Sequence, residues 1–200
     1  LDHLFYPHPL KSLTITMKKI LLFLLALAYL LPAKSQDVYI STNSTVSFFS
    51  ETPVENIDAT SNQVVGALNV STKTVFFKAK MTTFTFKKAL MQEHFNENYV
   101  ESEKYPNATF NGAVNENVDL RKEGTYAVTV TGKFNLHGIE KERTIPGTIT
   151  VKGETIAVSC EFDVKLSDHE IKIPTVVVKN ISEVVKVKVQ ANMLPSKSEK

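Results

Sequence analysis

The sequence predicts a mainly β fold, an extended antiparallel β-barrel of about eight strands. Three features support this: apolar and polar residues alternate in the second half of the chain, polar turns separate the alternating segments, and one helix-like segment precedes them. Alternation with a period of two places a single apolar face on each strand. Because a long meander has to cover that face, we expect the sheet to close on itself and lose its exposed edges.

The alternation is clearest in four segments of the second half. Polar residues, mostly threonine and lysine, form one face of each segment, and apolar residues form the other. The apolar faces are, segment by segment, Tyr126, Val128, Val130, Phe134 and Leu136; Ile145, Ile149 and Val151; Ile156, Val158, Cys160, Phe162, Val164 and Leu166; and Val185, Val187, Val189, Ala191 and Met193. A turn at 122–124 precedes the first segment, and turns at 137–138 and 152–154 separate the first three segments from one another. Each turn contains glycine, which favours an antiparallel meander.

The first half is less regular. Residues 38–40 and 45–49 are predicted as strands broken by a polar stretch, and residues 63–70 and 74–81 as the next two strands. Within the third of these, Gly66 indicates a bulge or a sharp bend.

A helix is predicted near residues 86–98. Phe86, Leu90, His94 and Phe95 follow one helical stripe there. Pro106 ends the helical region, since it disfavours the helical conformation at the preceding residue and has no backbone N–H for a ladder.

The N-terminal region has the pattern of a secretory signal peptide. Met17 is followed by two lysines, an apolar run over 20–31 and small residues at Ala33 and Ser35. We expect a signal peptide at 17–35 with residues 1–16 upstream of the true start, one domain at 36–195 and a polar tail at 196–200. The run is too short for a typical transmembrane helix, although an uncleaved N-terminal anchor is the alternative. We therefore expect export across the inner membrane, without stable membrane insertion after cleavage.

Composition excludes several classes of protein. Lys and Arg number 23 against 21 Asp and Glu, so no basic surface for nucleic acid is expected. Cys160 is the single cysteine, which allows no internal disulfide. Its place on an apolar strand face indicates an inert buried thiol.

Histidines offer little support for an enzyme. His94, His137 and His169 lack the spacing of metal ligands, and no nucleophile motif or phosphate loop is present, so no metal, cofactor or catalytic site is expected. The stretch 168–170 places His169 between two carboxylates, which suits a metal or a tuned base, but a solvated loop is favoured. His137 lies in a turn, where bonding to backbone groups is favoured over contact with a ligand head group. An unrecognised hydrolase stays a third alternative.

An eight-stranded barrel of this size is either filled by side chains or holds one ligand. Twelve Phe and six Tyr without Trp suit a long apolar wall. The aromatic residues expected to line a ligand tunnel are Phe76, Phe84, Phe86, Tyr105, Phe110, Tyr126, Phe134 and Phe162. His137 is the candidate polar contact, and a dry core filled by the same aromatics is the alternative.

Several motifs resemble those of the YceI-like family in order and spacing. They are 105–110 (YPNATF), 132–141 (GKFNLHGIEK) with Pro146 after it, 162–164 and 171–174. The resemblance covers nearly the whole expected mature chain. It implies a lipocalin-like barrel with a helix over one end, exported to the periplasm, and a non-catalytic carrier of an isoprenoid or similar fatty amphiphile.

The opening strand departs from the family pattern, since a polar stretch at 41–45 precedes Phe48 and Phe49. The alternative function is a dry-core barrel that acts as an envelope interaction or stress-related module without a lipid. A homodimer is a further partner considered for this chain, whose oligomeric state the sequence leaves open.

Overall fold

Ten antiparallel strands form one sheet in the computed structural model, which describes residues 37–52, 56–173 and 181–196. The strands are β1 (Val38–Ser50), β2 (Ile57–Ser61), β3 (Val64–Asn69), β4 (Thr74–Lys80), β5 (Thr85–Phe86), β6 (Asn107–Val114), β7 (Gly124–Leu136), β8 (Ile139–Lys152), β9 (Thr155–Lys165) and β10 (Val184–Pro195). The predicted signal segment 17–35 and tail residues 197–200 lie outside the described residues.

Eight of the strands close into a barrel in the order β1, β3, β4, β6, β7, β8, β9 and β10. Closure is made by the pairing of β10 with β1, from Tyr39 opposite Pro195 to Phe49 opposite Lys186. The predicted barrel of about eight strands is therefore confirmed. The sequence analysis missed β2 and β5, two short strands that extend the sheet beside β1 at the end opposite β3.

A short helix covers one end of the barrel, as predicted. Helix α1 (Ala89–His94) continues into a π-helical turn at Phe95–Tyr99. Phe86, expected at the start of this helix, lies instead in β5, where it pairs with Ala59. Strand β6 begins directly after Pro106, so the predicted switch from helix to strand is confirmed. No helix within the described ranges is long and apolar enough to cross a membrane.

Two details of the first half differ from the prediction. Strand β1 is continuous through the polar stretch, which forms a bulge between Ser41 and Asn43 instead of a break. The pairing of β3 with β4 is regular, so Gly66 marks no bulge. A Cβ at Gly66 would lie 2.6 Å from the ring of Phe77, which shows that this glycine makes room for an aromatic side chain.

Close approach of backbones requires glycine where β6 meets β7. Gly112 and Gly132 face each other across the two strands, and a Cβ added to Gly132 would lie 2.4 Å from the Cα of Gly112. The next hairpin turns through His137 and Gly138, both with positive φ (53° and 74°), as a two-residue hairpin turn of this hand demands.

The barrel is tightly packed at the end away from α1, which we call the closed end. Its fully or nearly buried side chains are Leu68, Val70, Val75, Val114, Leu120, Val128, Ile149, Val151, Ile156, Ala191 and Met193. The apolar faces predicted for the second half all turn inward, either toward this cluster or toward the part of the barrel interior between it and α1. The assignment of strand faces is therefore confirmed.

Candidate functional site

An internal cavity of about 530 Å³ occupies the barrel between the closed end and α1. Val128 and Ile149 of the closed end form part of its floor, and Leu90 and Met91 of α1 line the opposite end. Its wall is predominantly apolar, and none of the lining residues in the described part of the chain is an aspartate or a glutamate. This arrangement suits a ligand with an apolar body.

Side chains around the middle of the barrel keep accessible surface although they point inward. The half-buried inward residues that line the cavity include Val46, Phe48, Phe77, Phe110, Val130, Val158, Phe162 and Val187. By contrast, Leu68, Ile156 and Met193 at the closed end have 0% exposed surface. Because these residues share the same inward orientation, the difference reports on the space in front of them. The barrel is therefore packed at one end and hollow above it.

Four phenylalanine rings pack against one another at the α1 end of the cavity. Phe48 of β1 lies 5.7 Å from Phe84, 5.8 Å from Phe86 and 5.5 Å from Phe95, measured between ring centroids. Phe86 and Phe95 are 5.0 Å apart. Such aromatic pairs each contribute about 0.5–1.5 kcal/mol beyond their buried area. The cluster fixes the short helix, whose intrinsic stability in isolation is low, onto the barrel wall.

Five of the eight aromatic residues predicted to line the tunnel do line the cavity. They are Phe84, Phe86, Phe110, Phe134 and Phe162. The ring of Phe134 packs edge-on against Phe162 and His169, with centroid distances of 5.9 and 5.2 Å.

The predicted lining is wrong at Phe76, Tyr105 and Tyr126, none of which lines the cavity. Phe76 points outward and is 37% exposed, since Phe77 takes the inward place on β4. Tyr105 packs its ring against His137 of the β7–β8 hairpin, with 4.5 Å between the two ring centroids. Tyr126 packs on the closed end, where its hydroxyl donates to the carbonyl of Lys122 (3.0 Å).

His137, the candidate polar contact, also stays away from the cavity. Its Nδ1 lies 2.9 Å from the carbonyl oxygen of His169, and its Nε2 lies 2.8 Å from a carboxylate oxygen of Glu101. Both ring nitrogens are thus engaged by the protein, one by a backbone carbonyl of a distant turn and the other by a carboxylate that the sequence did not indicate. His137 joins the β7–β8 hairpin to the turn before β6 and to the 3-10 turn at Leu166–His169.

His169 corrects the expectation of a solvated loop at 168–170. Its side chain is fully buried, and its Nδ1 donates to the carbonyl of Ile139 (3.1 Å). Burial lowers the pKa of His169 below its usual value of 6.5, so the ring is neutral in the folded protein at neutral pH. Among the described residues, no group of three or more His, Cys, Asp or Glu side chains is placed to hold a metal ion.

Cavity residues that the sequence analysis missed include Phe48, Phe77 and Phe95. Phe48 and Phe77 each belong to a Phe-Phe pair in which only one ring can face inward, and alternation from a securely placed neighbour would have identified it. Phe95 was recognised on the helical stripe, but its contact with the barrel depends on the docking of α1.

Few polar groups face the cavity. Lys88, His94 and Tyr99 line it from α1 and its flanks, and burial raises the pKa of Tyr99. Cys160 lines the wall from β9, where desolvation raises the pKa of its thiol to about 11. At neutral pH this thiol is protonated and behaves as a small apolar group, so the cysteine adds no nucleophile to the site.

A closed antiparallel barrel with an apolar internal cavity defines a class of small ligand-holding β-barrels. Within that class, residues 39–193 match the YceI-like domain, and the chain belongs to that family. No curated protein matches the sequence.

Solved structures support the same fold. A polyisoprenoid-binding domain from Saccharophagus degradans, implicated in plant cell wall breakdown, superposes with a TM-score of 0.68 at 14% identity and covers 81% of this chain and 100% of its own. BcnA of Burkholderia cenocepacia gives 0.61 at 16% identity, over 76% and 96% of the two chains. A YCEI protein of Campylobacter jejuni gives 0.59 at 14% identity, over 74% and 90%. At these identities the likeness concerns the fold.

Proposed function

We propose that this protein is a non-catalytic carrier that holds one isoprenoid or similar long-chain apolar amphiphile inside its barrel. The observation that carries the proposal is the cavity of about 530 Å³ with half-buried apolar side chains around it. Ligand pockets in proteins commonly measure about 300–1,000 Å³. Membership of the YceI-like family and the polyisoprenoid-binding neighbour support the same ligand class.

The apolar wall alone supplies enough affinity for such a ligand. Each buried methylene contributes about 0.8 kcal/mol, so about 20 buried carbons contribute about 16 kcal/mol. An association cost of about 8 kcal/mol still leaves affinity near the micromolar range. Recognition of this kind depends on chain length and cavity volume more than on any single polar contact.

The ligand is oriented by the position of the polar groups. Lys88 and His94 are the lining residues with ionisable nitrogen side chains in the described part of the chain, and both lie at the α1 end. The floor at the closed end is apolar. The hydrocarbon chain therefore points toward the closed end, and the polar head of the amphiphile lies beside α1.

Gentle organic extraction of the purified protein followed by mass spectrometry tests the proposal. We expect a long-chain apolar amphiphile in about equimolar amount, and saturable binding of fluorescent isoprenoids to the delipidated protein, with affinity rising with chain length to an optimum. The absence of both a co-purifying amphiphile and saturable binding would refute the carrier function.

We also infer export to the periplasm, on the strength of the signal-like segment at 17–35. A carrier of this kind would then work outside the inner membrane. N-terminal sequencing of the protein from cells is expected to begin near Gln36. A product that begins at Met17, or one that fractionates with the cytoplasm, would contradict this inference.

A further inference from the structure

Exposed apolar side chains are concentrated on one part of the outer face of the barrel. Of the eight large hydrophobic residues that are exposed in the described ranges, five belong to the neighbouring strands β10, β1, β3 and β4. They are Val38, Ile40, Val65, Phe76 and Leu194, with exposed fractions between 37% and 54%. Single exposed hydrophobic residues are ordinary on a protein surface, whereas a contiguous group of them indicates an interaction site.

The strand register makes these residues contiguous. Ile40 lies opposite Leu194 on one side and opposite Ala67 on the other, and Ala67 lies opposite Phe76. Because adjacent strands are about 4.8 Å apart, the row from Leu194 to Phe76 spans about 14 Å. One valine on β1 and one on β3 continue the same outward faces on opposite sides of this row. The apolar patch therefore consists of Val38, Ile40, Val65, Ala67, Phe76 and Leu194.

The surroundings of the apolar patch are polar but mostly uncharged. The residues that the ladders and the strand alternation place beside it on the same face are Asn69, Thr74, Lys78, Asn111 and Asn192. Charged residues are common instead on the outer face nearer α1, where Lys186 pairs with Glu161 (3.5 Å) and Lys133 pairs with Glu140 (2.8 Å). An apolar centre with few charges around it has the composition of a protein–protein interface.

The area of the apolar patch suits a small interface. Exposed fractions of 37–54% on side chains of this size leave about 400 Å² of apolar surface. An interface of which about 65% is apolar then buries about 600 Å² on each subunit, or about 1,200 Å² in total. This area lies at the lower limit for specific protein–protein interfaces, so we expect reversible association in the micromolar range.

Shape and charge favour a second copy of the chain as the partner. Ala67 is small and half-buried between Ile40 and Phe76, so it leaves a depression beside the projecting Ile40. A twofold axis that passes between Ile40 and Ala67 lets each Ile40 enter the depression of the other subunit, as an isologous contact requires. The exposed amides of Asn111 and Asn192 both donate and accept hydrogen bonds, so they can lie at a self-complementary rim without like-charge repulsion.

We propose that the apolar patch is the interface of a homodimer in which two barrels pack face to face through β10, β1, β3 and β4. Leu68 and Met193, the sequence neighbours of Ala67 and Leu194, belong to the closed end. The interface therefore lies away from α1 and leaves that end of both cavities free. The dimer needs no ligand and is independent of the carrier function.

Sedimentation velocity of the purified protein between about 1 and 200 µM tests the proposal. We expect the average mass to rise from one chain to two and to stop there. Ile40→Lys brings two ammonium groups together at the axis and should weaken the dimer at least about tenfold. Val184→Lys makes a similar change at a 43% exposed residue outside the apolar patch and should dimerise as the wild type does.

Three results would overturn the proposal. They are a wild type that stays monomeric at the highest concentration, a mass that keeps rising beyond two chains, and an equal loss of association in the two lysine variants. Both substituted positions are exposed, so melting temperatures close to that of the wild type are expected and show that each variant is folded.

Chemical cross-linking gives a second test that does not require the dimer to be weakened. Ala67→Cys places two thiols near the axis, and a short bismaleimide can join them because packed sheets lie about 10 Å apart. Val184→Cys, at an exposed position outside the apolar patch, should remain uncross-linked. Cys160 reacts slowly, since burial raises the pKa of its thiol to about 11. Equal cross-linking of the two variants, or none with Ala67→Cys, would exclude this face as the interface.

Flotation with phosphatidylcholine and phosphatidylglycerol vesicles distinguishes a lipid surface from a second copy. We expect neither the wild type nor Ile40→Lys to float with the vesicles. If the wild type were monomeric and floated while Ile40→Lys did not, the apolar patch would bind a lipid surface and the dimer would be wrong.

Discussion

Substituting Val187 with Phe tests whether the barrel is hollow. Val187 points inward from β10, lines the cavity and is half-buried. Its matched control is Val151 of β8, which also points inward but is 5% exposed and packs in the closed end. The same chemical change is thus made at two inward positions that differ in the free space before them.

The expected energies differ because a benzyl group needs room. At Val151 the larger side chain enters a packed cluster, where overpacking costs about 1–3 kcal/mol. At Val187 the ring extends into a cavity of about 530 Å³, so we expect a change within about 0.5 kcal/mol, typical of unconstrained sites. For a domain of this size each kcal/mol corresponds to about 2–4 °C in melting temperature.

Thermal unfolding and binding of a fluorescent isoprenoid should therefore respond in opposite ways. Val187→Phe is expected to keep the melting temperature and to weaken binding or shift it toward shorter chains. Val151→Phe should lower the melting temperature and leave the affinity of the folded protein unchanged. If Val187→Phe destabilised the protein as much as Val151→Phe and no probe bound either protein, the interior would be filled and the carrier function would be wrong.

Three further predictions follow from the same interior. Ile156→Asp buries an unpaired charge and should cost about 3–5 kcal/mol in chemical denaturation, whereas Lys165→Asp at an exposed position of β9 should be nearly neutral; equal effects would mean that the inward and outward faces of β9 are assigned backwards. Because the pKa of His169 is lowered in the folded protein, only the unfolded chain takes up the proton as the pH falls below 6.5, and the free energy of unfolding should decrease over that range. His169→Asn, whose side-chain amide can still donate to the carbonyl of Ile139, should reduce this dependence on pH. An unchanged pH profile in the variant would contradict the prediction. With a pKa of about 11, Cys160 should react with iodoacetamide far more slowly at neutral pH when folded than in urea, and comparable rates would mean an accessible thiolate.

The strands of the second half could be predicted because their sequence alternates without ambiguity. In β10, valines at 185, 187 and 189 are separated by polar residues, and the structure turns all three inward. One apolar face over a strand of this length leaves no choice of orientation, since a shift by one residue would expose the whole set. Closure into a barrel followed from the same argument, without any knowledge of side-chain contacts.

A doublet of apolar residues has no alternation of its own and has to be assigned from its neighbours along the strand. Phe76 and Phe77 have equal hydrophobicity, and the inward place went to Phe77 because Val75 and Ala79 share its face. Short strands were equally hard to recognise: β5 has two residues, and its pairing with β2 depends on the aromatic cluster around Phe48. The pairing of so short a strand is decided by tertiary packing, which overrides local β propensity.

The polar contacts of the histidines were beyond the reach of sequence patterns for a different reason. His137 meets Glu101 and the carbonyl of His169, at separations of 36 and 32 residues along the chain. A turn position and its glycine could be read locally, but the partners are brought together only by barrel closure. The fold could thus be predicted from local alternation, whereas the hydrogen-bond partners of each side chain near the site depend on how the strands are aligned in the closed barrel.

The internal volume depends on a further property that alternation cannot specify. A barrel of eight strands can be filled or hollow, and the outcome is decided by the stagger of the strands and by the size of the side chains at each level. Here Leu120, from the loop before β7, is fully buried and helps to fill the closed end, whereas the level of Val130 and Val187 has no such insertion among the described residues and remains open. Loop insertion at one end and a covering helix at the other therefore determine where a ligand can lie, which is why the carrier function is best tested by changing free volume at Val187.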